Sequence, residues 1–180
     1  MTCNSFLKIK VYNPKFNFML KKILMGLVIV GVFSGCLKGD HEGEYKCEYD
    51  ACAVKAPAGE IQQVQDYLLT NNIIATQHCS GVYYAIDSVG TGKAVTSCGA
   101  IVATYKGSLT DGTIFDQGQF NRFYALSGLL KGWTNTIPLI KEGGRIRLYI
   151  PPSLGYGNTV YGTIPANSVL VFEVRLDAVY

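Results

Sequence analysis

The sequence predicts an α+β domain: an antiparallel sheet with one helix against its inner face, and a further helix ahead of it. Three observations carry this. Between Pro57 and Asn72 apolar residues recur at helical spacing, and further along the chain the pattern changes to the two-residue alternation of half-buried strands. Thr110-Asp111-Gly112-Thr113 is a strong hairpin signal between two strand segments. Strands then dominate, which separates helix from sheet along the chain instead of alternating them.

In the first helix Pro57 suits the opening turn, Ile61, Val64, Leu68 and Leu69 form the apolar stripe, and Asn71-Asn72 suit the end. Val82 to Val89 is rich in β-branched and aromatic residues, and Gly90-Thr91-Gly92 closes it. Ala100 to Leu109 is a second strand, and Ile114 to Asp116 returns from the hairpin turn. Leu129 to Ile140 is short and apolar around Trp133, which predicts one helix before Pro138. Arg145 to Ile150 sets Ile146, Leu148 and Ile150 against Arg145, Arg147 and Tyr149. Ser168 to Val179 sets Leu170, Phe172, Val174 and Leu176 against a solvated face of Glu173, Arg175 and Asp177.

The N-terminal segment reads as an address. Lys21 and Lys22 precede an apolar run, Ile23 to Phe33, that ends in Ser34-Gly35-Cys36. Its eleven residues fall short of the roughly twenty a spanning helix needs, and the order of charge, apolar run and small residues is that of a signal peptide. Small residues before a cysteine resemble the bacterial lipobox, with Phe33 where that pattern usually has Leu. The resemblance implies lipidation of Cys36 and a location in the cell envelope, anchored to a membrane on the periplasmic or outer-membrane side. Met19 would begin a compact signal by itself, so residues 1–18 read as an upstream extension and 1–35 as the signal. Residues 36–56 are polar and acidic and read as a tether; residues 57–80 as a helical extension; residues 81–180 as the main domain.

Charge and cysteines narrow the classes further. From Cys36 onward 11 Lys and Arg face 13 Asp and Glu, a net −2, which lacks the basic footprint that nucleic acid requires. Cys47, Cys52, Cys79 and Cys98 remain after Cys3 and Cys36 are set aside. An exported chain oxidises such a set, and of its three pairings Cys47–Cys52 with Cys79–Cys98 closes the shorter loops. A zinc site is disfavoured by irregular spacing without a CxxC pair, and His41 alone among carboxylates is a tether residue. His78 beside Cys79 is the one base next to a thiol, but adjacent residues in an extended chain point to opposite faces.

Four blocks then carry a resemblance. YKGSLTDGTIFD (Tyr105 to Asp116), LSGLLKGW (Leu126 to Trp133), KEGGRIRLYIPPSLGYG (Lys141 to Gly157) and IPANSVLVFEVRL (Ile164 to Leu176) resemble, in order and spacing, the signature of FKBP-type prolyl isomerases. The resemblance covers Gly81 to Tyr180. It implies a twisted antiparallel sheet, a half-barrel, wrapped around one short helix. It also implies an apolar pocket with Trp133 as floor, walls of Tyr105, Phe115, Leu129, Leu130, Ile164 and Phe172, and Asp116 and the Tyr156 hydroxyl as polar groups. Leu130 would offer a backbone N–H to the bound peptide. Gln117 to Phe123 is short for the family, and Arg122 or Phe123 is the candidate for its loop arginine or next aromatic.

The activity implied is cis-trans isomerisation of Xaa-Pro bonds in exported polypeptides, with macrolides as a further ligand class and no metal or cofactor. The sequence itself offers no nucleophilic triad, metal-ligand cluster or phosphate-binding glycine loop. A peptide-binding module that grips apolar segments without turnover is the competing reading.

Overall fold

A computed structural model describes residues 46–180. The signal segment, Cys36 and His41 lie outside the described residues.

Helix α1 spans Ala58–Thr70, with Pro57 at its N-cap, and buries Ile61, Val64 and Leu68. Leu69, expected in the same stripe, is 75% exposed, so the buried stripe is one residue wide. Seven strands form one antiparallel sheet: β1 (Thr76–Gln77), β2 (Tyr83–Ser88), β3 (Ala100–Leu109), β4 (Ile114–Gln119), β5 (Tyr124–Ala125), β6 (Arg145–Ile150) and β7 (Leu170–Val179). Their order is β1-β2-β6-β7-β3-β4, with β5 paired to β3. Helix α2 (Lys131–Thr136) continues into a 3-10 turn, Ile137–Leu139, at Pro138. The sheet wraps around α2, as expected for the α+β half-barrel.

Alternation decides what each face of the sheet meets. Ile146, Leu148 and Ile150 of β6 and Leu170, Phe172, Val174 and Leu176 of β7 are buried toward α2. A Cβ at Gly132 would stand 2.6 Å from Ile150 Cδ1, so only glycine lets α2 sit this close to β6. Between Val102 and Ala103 the register against β7 shifts from Ala178 to Leu176. The residue passed over, Asp177, accepts a hydrogen bond from Thr104 Oγ1 at 2.6 Å, and the shift turns Val179 into the core. Asp177 also pairs with Arg175, and Glu173 pairs with Lys106, so the face expected to be simply solvated is laced with ion pairs.

Tyr149 departs from its expected solvent-facing place and is fully buried. It lies on the face opposite Leu148, where Tyr67 of α1 packs against it with ring centroids 6.2 Å apart. Gln65 of the same helix donates to the hydroxyl of Tyr83, the partner of Tyr149 across β2 and β6. Helix α1 therefore covers a patch of the outer face that would otherwise be wet.

The disulfides correct the expected pairing. Cys47 is bonded to Cys98 and Cys52 to Cys79, with Cα atoms 5.6 and 5.4 Å apart. Loop length measures only the ease of closure in the unfolded chain. The fold instead lays residues 47–52 along the domain, where Tyr49 donates to the buried Asn135 of α2 at 2.6 Å. That path delivers Cys47 to Cys98 and Cys52 to Cys79. Residues 46–56, read from sequence as part of a tether, are stapled down at two points.

Candidate functional site

Helix α2 begins after Leu130 and carries Trp133 on its inward side, nearly inaccessible at 3% exposure. Three aromatic rings frame the indole. Tyr105 from β3 meets it edge-on at 5.7 Å, Phe172 from β7 edge-on at 5.3 Å, and Phe120 lies at 6.1 Å. Edge-on contact places a positive ring edge against a negative face and fixes these rings relative to one another. Gly107 makes room for the set: a Cβ there would lie 2.6 Å from the Phe115 ring and 2.7 Å from Phe172.

Above the indole is a hollow of about 130 Å³, lined by Tyr105, Asp116, Phe120, Leu129, Leu130, Trp133, Tyr156 and Phe172. Seven of the nine residues expected there are thus brought together: Tyr105, Asp116, Leu129, Leu130, Trp133, Tyr156 and Phe172. Phe115 stands behind the wall, edge-on to Phe172 at 5.5 Å. Ile164 is buried in the core, its backbone paired with Tyr161 in a short bridge. Phe120 is the wall residue that sequence reasoning missed. Asp116 and Gly118 stand opposite Gly107 and Tyr105, and Phe120 N–H bonds to Ala103, so the three share one face. The signal was two-residue alternation continued past Asp116, where the strand was expected to stop. Phe123, the aromatic suggested for the rim, is exposed and packs on Tyr180 at 5.6 Å, while Arg122 lies over Tyr124.

Polar groups at the hollow are few. The Tyr105 hydroxyl donates to Asp116 Oδ2 at 2.8 Å. Burial, reinforced by that bond and the carboxylate charge, pushes the Tyr105 phenol up to about 12, so it stays a neutral donor. The Tyr156 ring stacks on Tyr161 at 4.4 Å and 8°. Burial, then Tyr161 and Asp116, raise its phenol above the ordinary value, so it too is a neutral donor at physiological pH. The Leu130 N–H, ahead of the first turn of α2, has no hydrogen-bond partner among the described residues.

Two other places invite a functional reading. A larger hollow of about 220 Å³ lies on the outer face of the sheet among Asp87, Lys106, Arg145, Glu173 and Arg175. Its charges of both signs are interleaved and Tyr105 is the one aromatic among its lining residues, so the chemistry favours the smaller hollow. Cys52, His78 and Cys79 bring ligand atoms within 4.8 Å of one another, but their two sulfurs are bonded to each other. His78 instead shares a hydrogen bond with Ser80 Oγ at 2.9 Å, and burial lowers its pKa.

An aromatic-walled apolar hollow over a buried tryptophan, inside a half-barrel closed on one short helix, defines an FKBP-type domain. Residues 92–177 match the family model for the FKBP-type peptidyl-prolyl cis-trans isomerase, and this part of the chain is such a domain. Its similarity is to the isomerase FkpA of several bacteria. It is 43% identical over 102 residues to FkpA of Buchnera aphidicola subsp. Schizaphis graminum, covering 54% of this chain and 40% of that protein. To FkpA of Escherichia coli K12 it is 40% identical over 100 residues, covering 54% and 37%. The chain thus spans about two fifths of the length of these curated relatives. The crystal structure of Escherichia coli FkpA aligns with a TM-score of 0.60 at 33% identity, covering 68% of this chain and 60% of that one. That of a peptidyl-prolyl cis-trans isomerase from Pseudomonas syringae aligns at 0.59 and 28%, covering 70% and 98%.

Proposed function

We propose that this chain is a peptidyl-prolyl cis-trans isomerase acting on proline-containing polypeptides outside the cytoplasm. The observation that carries the reading is the hollow over Trp133, apolar at its floor and walls, with Asp116, Tyr156 and the Leu130 N–H at its edge. Rotation about a peptide bond faces a barrier of about 18–20 kcal/mol because it breaks amide resonance. The two Xaa-Pro isomers differ by only about 0.5–1 kcal/mol, so catalysis can work in both directions. The twisted amide is less dipolar than either planar form, and an apolar hollow therefore favours it over both ground states. Leu130 N–H and the Tyr156 hydroxyl hold substrate carbonyls, and Asp116 fixes the Tyr105 hydroxyl at the wall.

The test is the rate of cis-to-trans conversion of Xaa-Pro peptides in the presence of the folded chain. No acceleration over background refutes the enzyme and leaves a peptide-binding module. Asp116→Ala and Tyr156→Phe should each lower kcat/KM by about tenfold or more with little loss of stability, as interactions strengthened in the transition state do.

The two disulfides support an oxidising compartment. We further propose that Cys36 is lipidated and anchors the chain to an envelope membrane, on the strength of the apolar run Ile23 to Phe33 followed by Ser34-Gly35. Metabolic labelling with a fatty acid should mark the parent protein and not Cys36→Ala. Label that persists in the variant refutes this assignment.

A further inference from the structure

Glu60 lies in the first turn of α1, ahead of the matched segment 92–177, yet its side chain reaches into that segment. Its Oε2 accepts the backbone N–H of Ser153 at 2.8 Å. Ser153 sits in the 3-10 turn Pro152–Leu154, three residues before Tyr156. Two prolines open this turn, so Ser153 supplies its first N–H, a donor with no carbonyl ahead of it to bond. The rest of the turn is tied internally: Leu154 N–H bonds to Pro151, and Gly155 and Gly157 N–H both bond to Pro152. The turn is thus a small unit carrying Tyr156; Leu154 is buried in the core, Asn167 N–H bonds to the Gly157 carbonyl, and Glu60 is the side chain that ties the turn to α1.

The base of that attachment is firm. Ala56 N–H bonds to the Ser80 carbonyl immediately before α1, and the neighbouring Cys52–Cys79 bond staples the same point. Gly81 approaches Ile61 so closely that a Cβ there would lie 2.9 Å from its side chain. Gln65 and Tyr67 fix the next turns of α1 to Tyr83 and Tyr149. Among the described residues Glu60 makes no ion pair, so its charge is directed at this one backbone donor. A carboxylate accepting an N–H makes a stronger bond than a neutral acceptor.

We propose, resting on the isomerase reading above, that Glu60 is a positioning residue for the reaction. By holding the Ser153 N–H it fixes the turn that sets the Tyr156 hydroxyl at the pocket wall. The extension ahead of the matched segment is then part of the working site.

The experiment compares the full chain with Glu60→Ala and Glu60→Gln, each with Tyr156 and with Tyr156→Phe. Glu60→Ala should lower kcat/KM on an Xaa-Pro peptide by about fivefold to tenfold, the size expected when one charge-assisted hydrogen bond is lost. Glu60→Gln keeps an acceptor oxygen at the same reach and should recover most of the loss. With Tyr156→Phe in place, Glu60→Ala should add less than about a further twofold, because the group it positions is gone. In the proteins that keep Tyr156, nuclear magnetic resonance of labelled tyrosine should show the Tyr156 ring signal shifted in Glu60→Ala and restored in Glu60→Gln. Equal losses in both backgrounds, or an unshifted Tyr156 signal, overturn the proposal. An inactive parent chain would instead sink the isomerase reading, while the ring signal still reports whether Glu60 places Tyr156.

Discussion

Replacing Cys52 and Cys79 together by serine removes one disulfide and leaves Cys47–Cys98 intact. The bond spans 27 residues, and chain entropy alone assigns such a loop about 3.5 kcal/mol. The loop lies inside the 51-residue span of the other bond, which already restrains the unfolded chain, so the expected loss is nearer about 3 kcal/mol. For a domain of this size that corresponds to a fall of about 10 °C in the thermal midpoint. Denaturant unfolding of the two proteins side by side measures it. Thiol titration of the denatured variant tests the pairing itself. With Cys47 bonded to Cys98, the variant shows no thiol beyond those of the parent. Had the chain closed its shorter loops, Cys47 and Cys98 would each lose their partner and two new thiols would appear. Two new thiols, or an unchanged midpoint, would refute the reasoning.

Two further perturbations follow from the pocket wall. Gly107→Ala forces a methyl group into the Phe115 and Phe172 rings and should cost about 1–3 kcal/mol in urea unfolding, with isomerase activity falling as Phe172 is displaced. Tyr105 ionises near 10.0 in the unfolded chain and about 12 in the folded one. Between those values the unfolded state has released more protons, so this contribution to stability is complete below pH 10 and is lost as pH rises toward 12. Thermal midpoints measured across that range should fall more steeply for the parent than for Tyr105→Phe; parallel curves would count against the shift.

Legibility in the sequence followed the range of each interaction. Strands β3 and β6 were readable to the residue because period-two alternation is local. Strands β1 and β5 have two residues each, too few to show any period. Tyr149 was assigned to solvent because alternation tells which face a residue takes, not what covers that face, and α1 covers it from a distance in sequence. The same limit explains the cysteines, whose partners are chosen by the path of residues 47–52 over the folded domain. Of the site, the residues inside quoted motifs assembled, with Phe115 and Ile164 one layer back. Phe120 fell outside any motif and came in through the register of β4 against β3. Glu60 was unreadable for a stricter reason: it acts through a backbone N–H, which leaves no mark in side-chain pattern.

The size of the hollow bears on what the site selects. At about 130 Å³ it is well below the roughly 300–1,000 Å³ of pockets that enclose drug-sized ligands. A hollow of that size has room for one small ring, and on the isomerase reading proposed above the remainder of a peptide would lie across the rim. On the same reading, discrimination between substrates would rest on Phe120, Leu129 and Leu130 at the edge. Trp133 Nε1–H is buried without a hydrogen-bond partner among the described residues. Asp116 stays exposed at the rim and accepts the Tyr105 hydroxyl, which on the isomerase reading proposed above would leave the space beneath with the low polarity that favours a twisted amide.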